Sequence, residues 1–310
     1  MDGGVSYLIS LYNKQDYIEK TLAAVHGEWQ ITGGEIIVYD DVSTDRSVDL
    51  VRRLPFAGDI TLILGEKNGG CVYATDRLIA AARHPYVRFV DGDDLVLPGS
   101  TAAMLELVRR EGCTLLFGRL ATIGGDVAGL AAEPPHAIDR PLRFILRNTA
   151  FNPSALLVVT EALKRVYPLP VQLRHSQDFI IGLRLALLGE RFHAYGAVVA
   201  LAPPEDDNRL SRHMAEMFGN MAETVALETE GRAPFPLADL RYATARYASR
   251  CLRYFRRVQR SGPRRLSVAD MMWLYLITLR AAFASAPACR RDLTHIAGVF
   301  YRDRGHILKS

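Results

Sequence analysis

Cysteine is scarce in this chain. Four residues, Cys71, Cys113, Cys251 and Cys289, are scattered over 310 positions with no Cys-x-x-Cys pair. That spacing counts against a disulfide scaffold or a zinc ribbon and fits a reducing compartment. Long apolar runs are missing too. The nearest candidate, 268–284, is interrupted by Asp270 and Arg280, which disfavours a membrane-spanning helix. The opening Met-Asp-Gly-Gly has no basic stretch leading into an apolar one, so no secretory leader is expected and the cytoplasm is the expected location. No Gly-x-Gly-x-x-Gly follows the first apolar run; Gly3 and Gly4 precede it, which argues against a nicotinamide-dinucleotide fingerprint. Internal repeats and low-complexity tracts are absent. With 49% hydrophobic and 23% charged residues, the chain is not a disordered one.

What is present is strongly polarised. The net charge is +4, yet residues 241–310 carry 15 Lys and Arg against 3 Asp and Glu. The first 240 residues are therefore acidic overall, and the tail is basic enough to meet something anionic. Apolar runs at Val5–Leu11, Glu35–Tyr39, Ile60–Leu64, Tyr86–Val90 and Thr114–Phe117 read as strands. Amphipathic stretches at Lys14–His26, Thr44–Leu54, Cys71–Arg83 and Pro98–Arg110 read as the helices between them. This alternation predicts an α/β fold with a Rossmann-like, mostly parallel sheet flanked by helices. Residues 119–150 read as a loop region holding at most one short hairpin. Ala155–Val159 and Phe192–Ala200 are further strand candidates, and Ser176–Leu188 is a helix with Gly189 as its C-cap. From Arg209 onward the pattern is helical. The expected division is a nucleotide-sugar-binding catalytic domain over 1–205 and a basic helical extension over 206–310, the first name resting on the resemblance given below.

Ligands of parallel α/β sheets bind beyond the C-terminal ends of the strands. Here the second strand runs into Asp40-Asp41-Val42-Ser43-Thr44-Asp45, and the fourth into Asp91-Gly92-Asp93-Asp94. Two carboxylates one small residue apart can share a hard divalent cation, Mg²⁺ or Mn²⁺, that keeps positions open for phosphate oxygens. Gly92 lets backbone approach a ligand. The plain alternative is a set of solvated turn and helix-capping acids. It competes well at Asp40–Asp45. It competes poorly at Asp91–Asp94, where three acids after a buried strand repel one another without a cation.

Four blocks in order, VSYLISLYNKQDYIEKTL, EIIVYDDVSTDRSVDLV, EKNGG and YVRFVDGDDLVLPGS, resemble the family-two glycosyltransferases with the A-type nucleotide-sugar-binding fold. A fifth, FNPSAL leading to SQDFIIGLRLALLG, extends the likeness over about residues 5–200. The resemblance implies that Ser10 and Tyr12 line a nucleobase pocket. Asp41, with Asp40 beside it, would accept a hydrogen bond from the base. Asn68 and Gly70 would approach the nucleotide, as would Asp91 and Gly92. Asp91 and Asp93 would form the metal-binding DxD, and Asp178 would be the catalytic base. A metal-dependent, inverting transfer from a nucleoside-diphosphate sugar, with a UDP-sugar favoured, to a glycan or lipid-linked acceptor is the implied reaction. Such a reaction serves polysaccharide biosynthesis for a cell envelope. Two departures stand out. Ser10 replaces a frequent Pro, and Thr75-Asp76 replaces an Arg-Asn pair, leaving Arg77 as a substitute phosphate contact or a surface residue.

Further candidates are His213 as a third metal ligand, Arg209 and Arg212 toward diphosphate oxygens, and Asn152 and Ser154 toward sugar or acceptor. Each also has a structural reading, as a helix-start residue or a turn former. Arg246, Arg250, Arg253, Arg257 and Arg260 share one helical face within the basic helix 241–260. That face meets either an anionic membrane, at the inner face of the plasma membrane, or the acidic body of the protein itself. No nucleic-acid partner is expected, because no recognition fold is visible. A nucleotidyltransferase or sugar-phosphate pyrophosphorylase and a non-catalytic nucleotide-sugar binder are the competing readings. The first lacks its glycine cluster after strand one, and the second is disfavoured by retention of Asp91, Asp93 and Asp178.

Overall fold

The computed structural model describes residues 3–125, 133–147, 152–204, 214–231, 233–261 and 267–301. Contacts divide the chain into two compact units, Met1–Pro204 and Glu205–Ser310.

The first unit is built on β1 (Val5–Leu11), whose alternate residues Val5, Tyr7, Ile9 and Leu11 are buried on one face. Leu8 is buried on the other, as expected of a strand covered on both sides. It pairs in parallel with β2 (Gly34–Asp40) and β4 (Tyr86–Asp91), and β2 pairs in parallel with β3 (Ile60–Leu64). Beyond β4 the sheet changes character. β8 (Leu156–Val159) inserts antiparallel between β4 and β6 (Leu115–Thr122). β6 then pairs in parallel with the long β9 (Phe192–Ala202), with a register shift around Arg119. Two-residue strands β5 (Leu95–Val96) and β7 (His136–Ala137) complete the order β3-β2-β1-β4-β8-β6-β9-β5, β7 lying on β9. The parallel alternation read from the sequence thus holds for the first four long strands, and beyond them the antiparallel β8 is followed by β6 and β9 running with the first four.

Helix α1 (Ile18–Thr32) buries Ile18, Leu22 and Val25 at helical spacing against this sheet. Burial of each such side chain contributes about 1.5–3 kcal/mol. It starts four residues later than the periodicity predicts. The N–H of Lys14 is taken by Ser47 Oγ at 2.8 Å and that of Gln15 by Asp45 at 3.0 Å, which pins the chain after β1 to the chain after β2. Near its other end, Glu28 is buried and accepts the N–H of Thr101 at 2.7 Å. It thereby caps α4 (Ser100–Glu111), where a carboxylate meets the positive end of the helix. Helix α2 (Ser47–Arg53) and helix α3 (Cys71–Ala81) follow β2 and β3. In the region read as a loop, β6 continues to Thr122 and α5 (Pro141–Arg147) forms instead of a hairpin. Helix α6 (Thr160–Val166) leads on to α7 (Gln177–Leu187), and Gly189 follows α7 with φ +76°.

The second unit holds α8 (Met214–Glu228), α9 (Leu237–Ser261), α10 (Val268–Arg280) and α11 (Ala286–Tyr301). Its core is a stripe on α9, Leu240, Ala243, Tyr247, Cys251 and Phe255, packed with α8 and α11. Phe300 stacks on Phe255 at 6.0 Å. The arginine-bearing helix therefore packs its apolar face into a bundle. Arg250 is half-buried, with its guanidinium 5.4 Å over the Phe218 ring. No helix among the described residues is long and apolar enough to cross a membrane.

Candidate active site

The carboxyl ends of β1, β2 and β4 converge with the start of α7. Ser10 lies in register with Asp91 across the β1–β4 pair, and its hydroxyl reaches the Asp91 carboxylate at 3.4 Å. Gly92 donates its N–H to Ser10 C=O, and a β-carbon on Gly92 would meet that oxygen at 2.9 Å. Only glycine fits so close a crossing. Asp93 is buried and faces the Lys14 ammonium at 2.6 Å. Asp94 is buried and accepts the Ser154 hydroxyl at 2.6 Å, while Ser154 Oγ also accepts the N–H of Asp91 at 2.9 Å.

The electrostatics follow from crowding. Loss of water raises the Asp91 carboxyl well above the ordinary carboxylate range. Asp94, Asp93 and Asp178 push the same way, and Lys14 opposes them. Asp178, in the first turn of α7, is raised to about 7. Desolvation outweighs the N–H groups of Phe179 and of its own residue. A cluster of acids with one ammonium among them fits a divalent cation. Among the described residues no group of three or more His, Cys, Asp or Glu side chains is placed to hold a metal ion. Two carboxylates on one side leave the remaining positions of a hard cation to water or phosphate.

The second acidic pair is arranged otherwise. Both Asp41 oxygens accept backbone N–H groups, from Gly69 and from Gly70, each at 2.8 Å. Burial raises its carboxyl, while these two bonds and Arg174 lower it. Asn68 returns a bond to Asp41 C=O at 3.1 Å and accepts Arg174 at 2.6 Å. Gly70 has φ +82°, and a β-carbon there would press on Arg174 C=O at 2.9 Å. Asp40 accepts the N–H of Ser43. Tyr12 stands exposed at the rim.

Backbone strain marks the same place. Asn13, Val42 and Ser176 are the only non-glycine residues with positive φ among the described residues, at 51°, 65° and 72°. Each sits beside a candidate residue: Tyr12, Asp41 or Asp178. Such conformations cost about 1–3 kcal/mol each and persist where the surroundings over-determine them.

Some sequence readings change. Ser154 is fully buried and ties Asp94 to the Asp91 backbone, and Asn152 Oδ1 accepts the N–H of Ser154 at 2.7 Å. The pair braces the acidic loop from behind, so Ser154 is no acceptor contact. Arg77 is turned to the Asp76 carboxylate at 2.5 Å and to the Tyr73 ring. Arg209, Arg212 and His213 lie outside the described residues. Three residues went unnoticed. Lys14 had a signal, since three acids clustered after one strand favour a cation nearby and it follows the first strand. Arg174 had none, lying in an irregular segment. Cys71 donates to Arg174 C=O at 3.1 Å; burial, then Asp91 and Asp178, push its thiol up, which disfavours the thiolate.

With the geometry in hand, comparison places the chain among known proteins. The family model described as Glycosyl transferase family 2 matches residues 6–165, more than half the chain. A putative teichuronic acid biosynthesis glycosyltransferase, TuaG of Bacillus subtilis, is 27% identical over 203 residues, covering 64% of this chain and 77% of that protein. The crystal structure of S. aureus TarS 1-349 in complex with UDP-GlcNAc superimposes with a TM-score of 0.66 at 17% identity, over 97% of this chain and 91% of that one. The mannosyltransferase PcManGT of Pyrobaculum calidifontis, in complex with GDP-Man and Mn²⁺, gives 0.58 at 17% identity over 100% and 88%. At that identity these two structures speak for the fold.

Proposed function

The chain belongs to glycosyl transferase family 2, and from that premise we propose that it moves a glycosyl group from a nucleoside-diphosphate sugar to a hydroxyl of a glycan or lipid-linked acceptor. UDP is the favoured nucleotide. The acid pile-up around Asp91 carries this reading. Burial first and then three further carboxylates raise it, and one ammonium opposes them, at strand ends where α/β folds bind ligands. Asp91 and Asp93 would hold Mg²⁺ or Mn²⁺. When bound, that cation would neutralise charge on the departing diphosphate. TarS and PcManGT, by their titles, bind UDP-GlcNAc and GDP-Man, which supports the same ligand class here. TuaG's name supports a polysaccharide as the product.

Asp178 takes the proton from the attacking hydroxyl. Its raised proton affinity, about 7, suits a base working near neutrality. With Asp178 as base the acceptor oxygen attacks directly, and direct displacement inverts the configuration. Ser10, Tyr12 and Asp40 frame the base pocket. Asp41 holds the Asn68–Gly70 loop in place for the nucleotide. Family membership displaces the pyrophosphorylase and non-catalytic readings.

The test is a thermal-shift series with UDP, GDP and CDP, each with Mn²⁺, Mg²⁺ or EDTA, followed by turnover of the matching sugar donors. A ligand that binds only the folded chain raises its melting temperature. Stabilisation by one nucleoside diphosphate that EDTA abolishes is the expected result. Equal stabilisation with and without EDTA, and with Asp93→Ala, would overturn the metal assignment. Full turnover by Asp178→Asn would overturn the base.

A further inference from the structure

Helix α10 is apolar on two sides, and packing accounts for only one. Leu274 and Ile277 are fully buried in the helical unit. On the opposite side Val268, Met272, Tyr275, Leu276 and Leu279 point outward, and Phe283 continues the line past the helix end. At 100° per residue the five helical positions fall within an arc of about 100°, one continuous stripe. Leu279 is 73% exposed and Phe283 85%. Single exposed apolar residues are ordinary, but a contiguous stripe marks an interaction surface.

The neighbours of the stripe decide what it meets. Arg253 and Arg256 are exposed on α9, and the Arg256 guanidinium lies 5.3 Å over the Tyr275 ring. Arg280, paired with Asp292, stands half-exposed at the helix end. Residues 241–310 carry a net charge of +12. A second copy seated on this face would bring two such charges together, and like charges juxtaposed across an interface are costly. An anionic bilayer satisfies both features at once. Apolar side chains enter the acyl boundary, and arginines reach the phosphates with their stems along the apolar layer. The helix has 13 residues, about 20 Å, against a hydrocarbon core of about 30 Å, so it lies in the plane rather than crossing.

We propose that the α10 face from Val268 to Phe283 is a docking surface for an anionic lipid bilayer, with the flanking arginines as its electrostatic rim. This assigns the contact to α10, not to the arginine face of α9. It does not depend on which sugar or nucleotide the other unit takes.

Flotation of the full chain with phosphatidylcholine vesicles, with and without phosphatidylglycerol, tests the proposal. The expected result is binding to the anionic vesicles, weakened by salt and reduced at least about tenfold in Leu276→Glu/Leu279→Glu, since both leucine insertions are lost. Both side chains are exposed, so the melting temperature of the double variant should match the parent. Arg253→Gln/Arg256→Gln should weaken binding to anionic vesicles less and reduce its salt dependence. A Leu279→Trp reporter should shift its emission to the blue on the same vesicles and be quenched by brominated lipid. No binding to anionic vesicles would overturn the proposal, as would binding that the glutamates leave unchanged. So would self-association in sedimentation equilibrium that the glutamates abolish while vesicles have no effect; the face would then belong to a second copy.

Discussion

Two strands of one sheet, β2 and β4, end in acids, and the two ends do opposite things with them. At β2 the carboxylates serve the backbone. Asp41 holds the N–H groups of Gly69 and Gly70, and Asp40 holds that of Ser43. At β4 one acid is braced, Asp94 by Ser154, while Asp91 and Asp93 meet a 3.4 Å contact with Ser10 Oγ and the Lys14 ammonium. Burial alone therefore does not mark a ligand site. A buried carboxylate whose oxygens already accept backbone N–H groups is organising a loop. One crowded by other acids has affinity left for a cation.

The sharpest way to break this contrast lies beyond both strands, at Asp178, which adds to the charge on Asp91. Asp178→Asn should lower kcat by about 10²–10⁴, the usual worth of a positioned base. In the parent, activity should rise with pH through about 7, because the base works ionised. Stability should move the other way. A carboxyl raised to about 7 binds its proton more tightly folded than unfolded, where it titrates near the ordinary value of about 3.9. The folded chain therefore loses stability as pH rises between those two values. The asparagine variant should melt higher than the parent at pH 8 and no higher at pH 3; equal melting at both would refute the burial of an ionisable Asp178.

Next in size comes Asp93→Asn. Losing one group that stabilises leaving-group charge should cost about 10²–10³ in kcat. It should also remove the EDTA-sensitive part of nucleoside-diphosphate stabilisation in a thermal-shift assay. At β2 the matching change should behave differently. Asp41→Asn places an amide where two N–H donors need acceptors, an expected loss of about 1–3 kcal/mol. Urea unfolding should register that loss, and kinetics should show a raised donor KM with kcat less affected. A fall in kcat as large as that of Asp93→Asn would erase the distinction between the strand ends. The smallest effect is expected from Ser154→Ala. It removes the hydroxyl between Asp94 and the Asp91 N–H and should cost about 1 kcal/mol in urea unfolding, with metal affinity falling only a few-fold.

The acids themselves were legible because each follows a run too apolar to end anywhere but in a covered sheet, so Asp40, Asp41, Asp91 and Asp93 had to emerge at its edge. Asp178 was legible as a base only through the resemblance carried by SQDFIIGLRLALLG. The partners were not. Lys14 and Asp93 are 79 positions apart, Asp94 and Ser154 60, and Asn68 and Arg174 106. Which of these meet depends on strand order, and β8 entering antiparallel beside β4 is what carries Ser154 behind the acidic loop. The start of α1 moved for a related reason: side chains after β2 claimed the N–H groups that a helix from Lys14 would have left to water. In the helical unit, periodicity marked α9 as amphipathic, yet could not say that its arginines rim a bundle or that α10 turns a second apolar stripe outward.

The amino-acid order by itself determined the strands, the acids at their ends and the polarity of charge along the chain. These depend on residue type and on spacing within a single element, where 2.0 and 3.6 residues per repeat decide which side is apolar. Tertiary structure alone decided which carboxylates hold backbone N–H groups and which are crowded by other acids, and which apolar stripe is left uncovered. Those outcomes depend on donors and surfaces brought together from distant positions, and no local pattern encodes the distance between them.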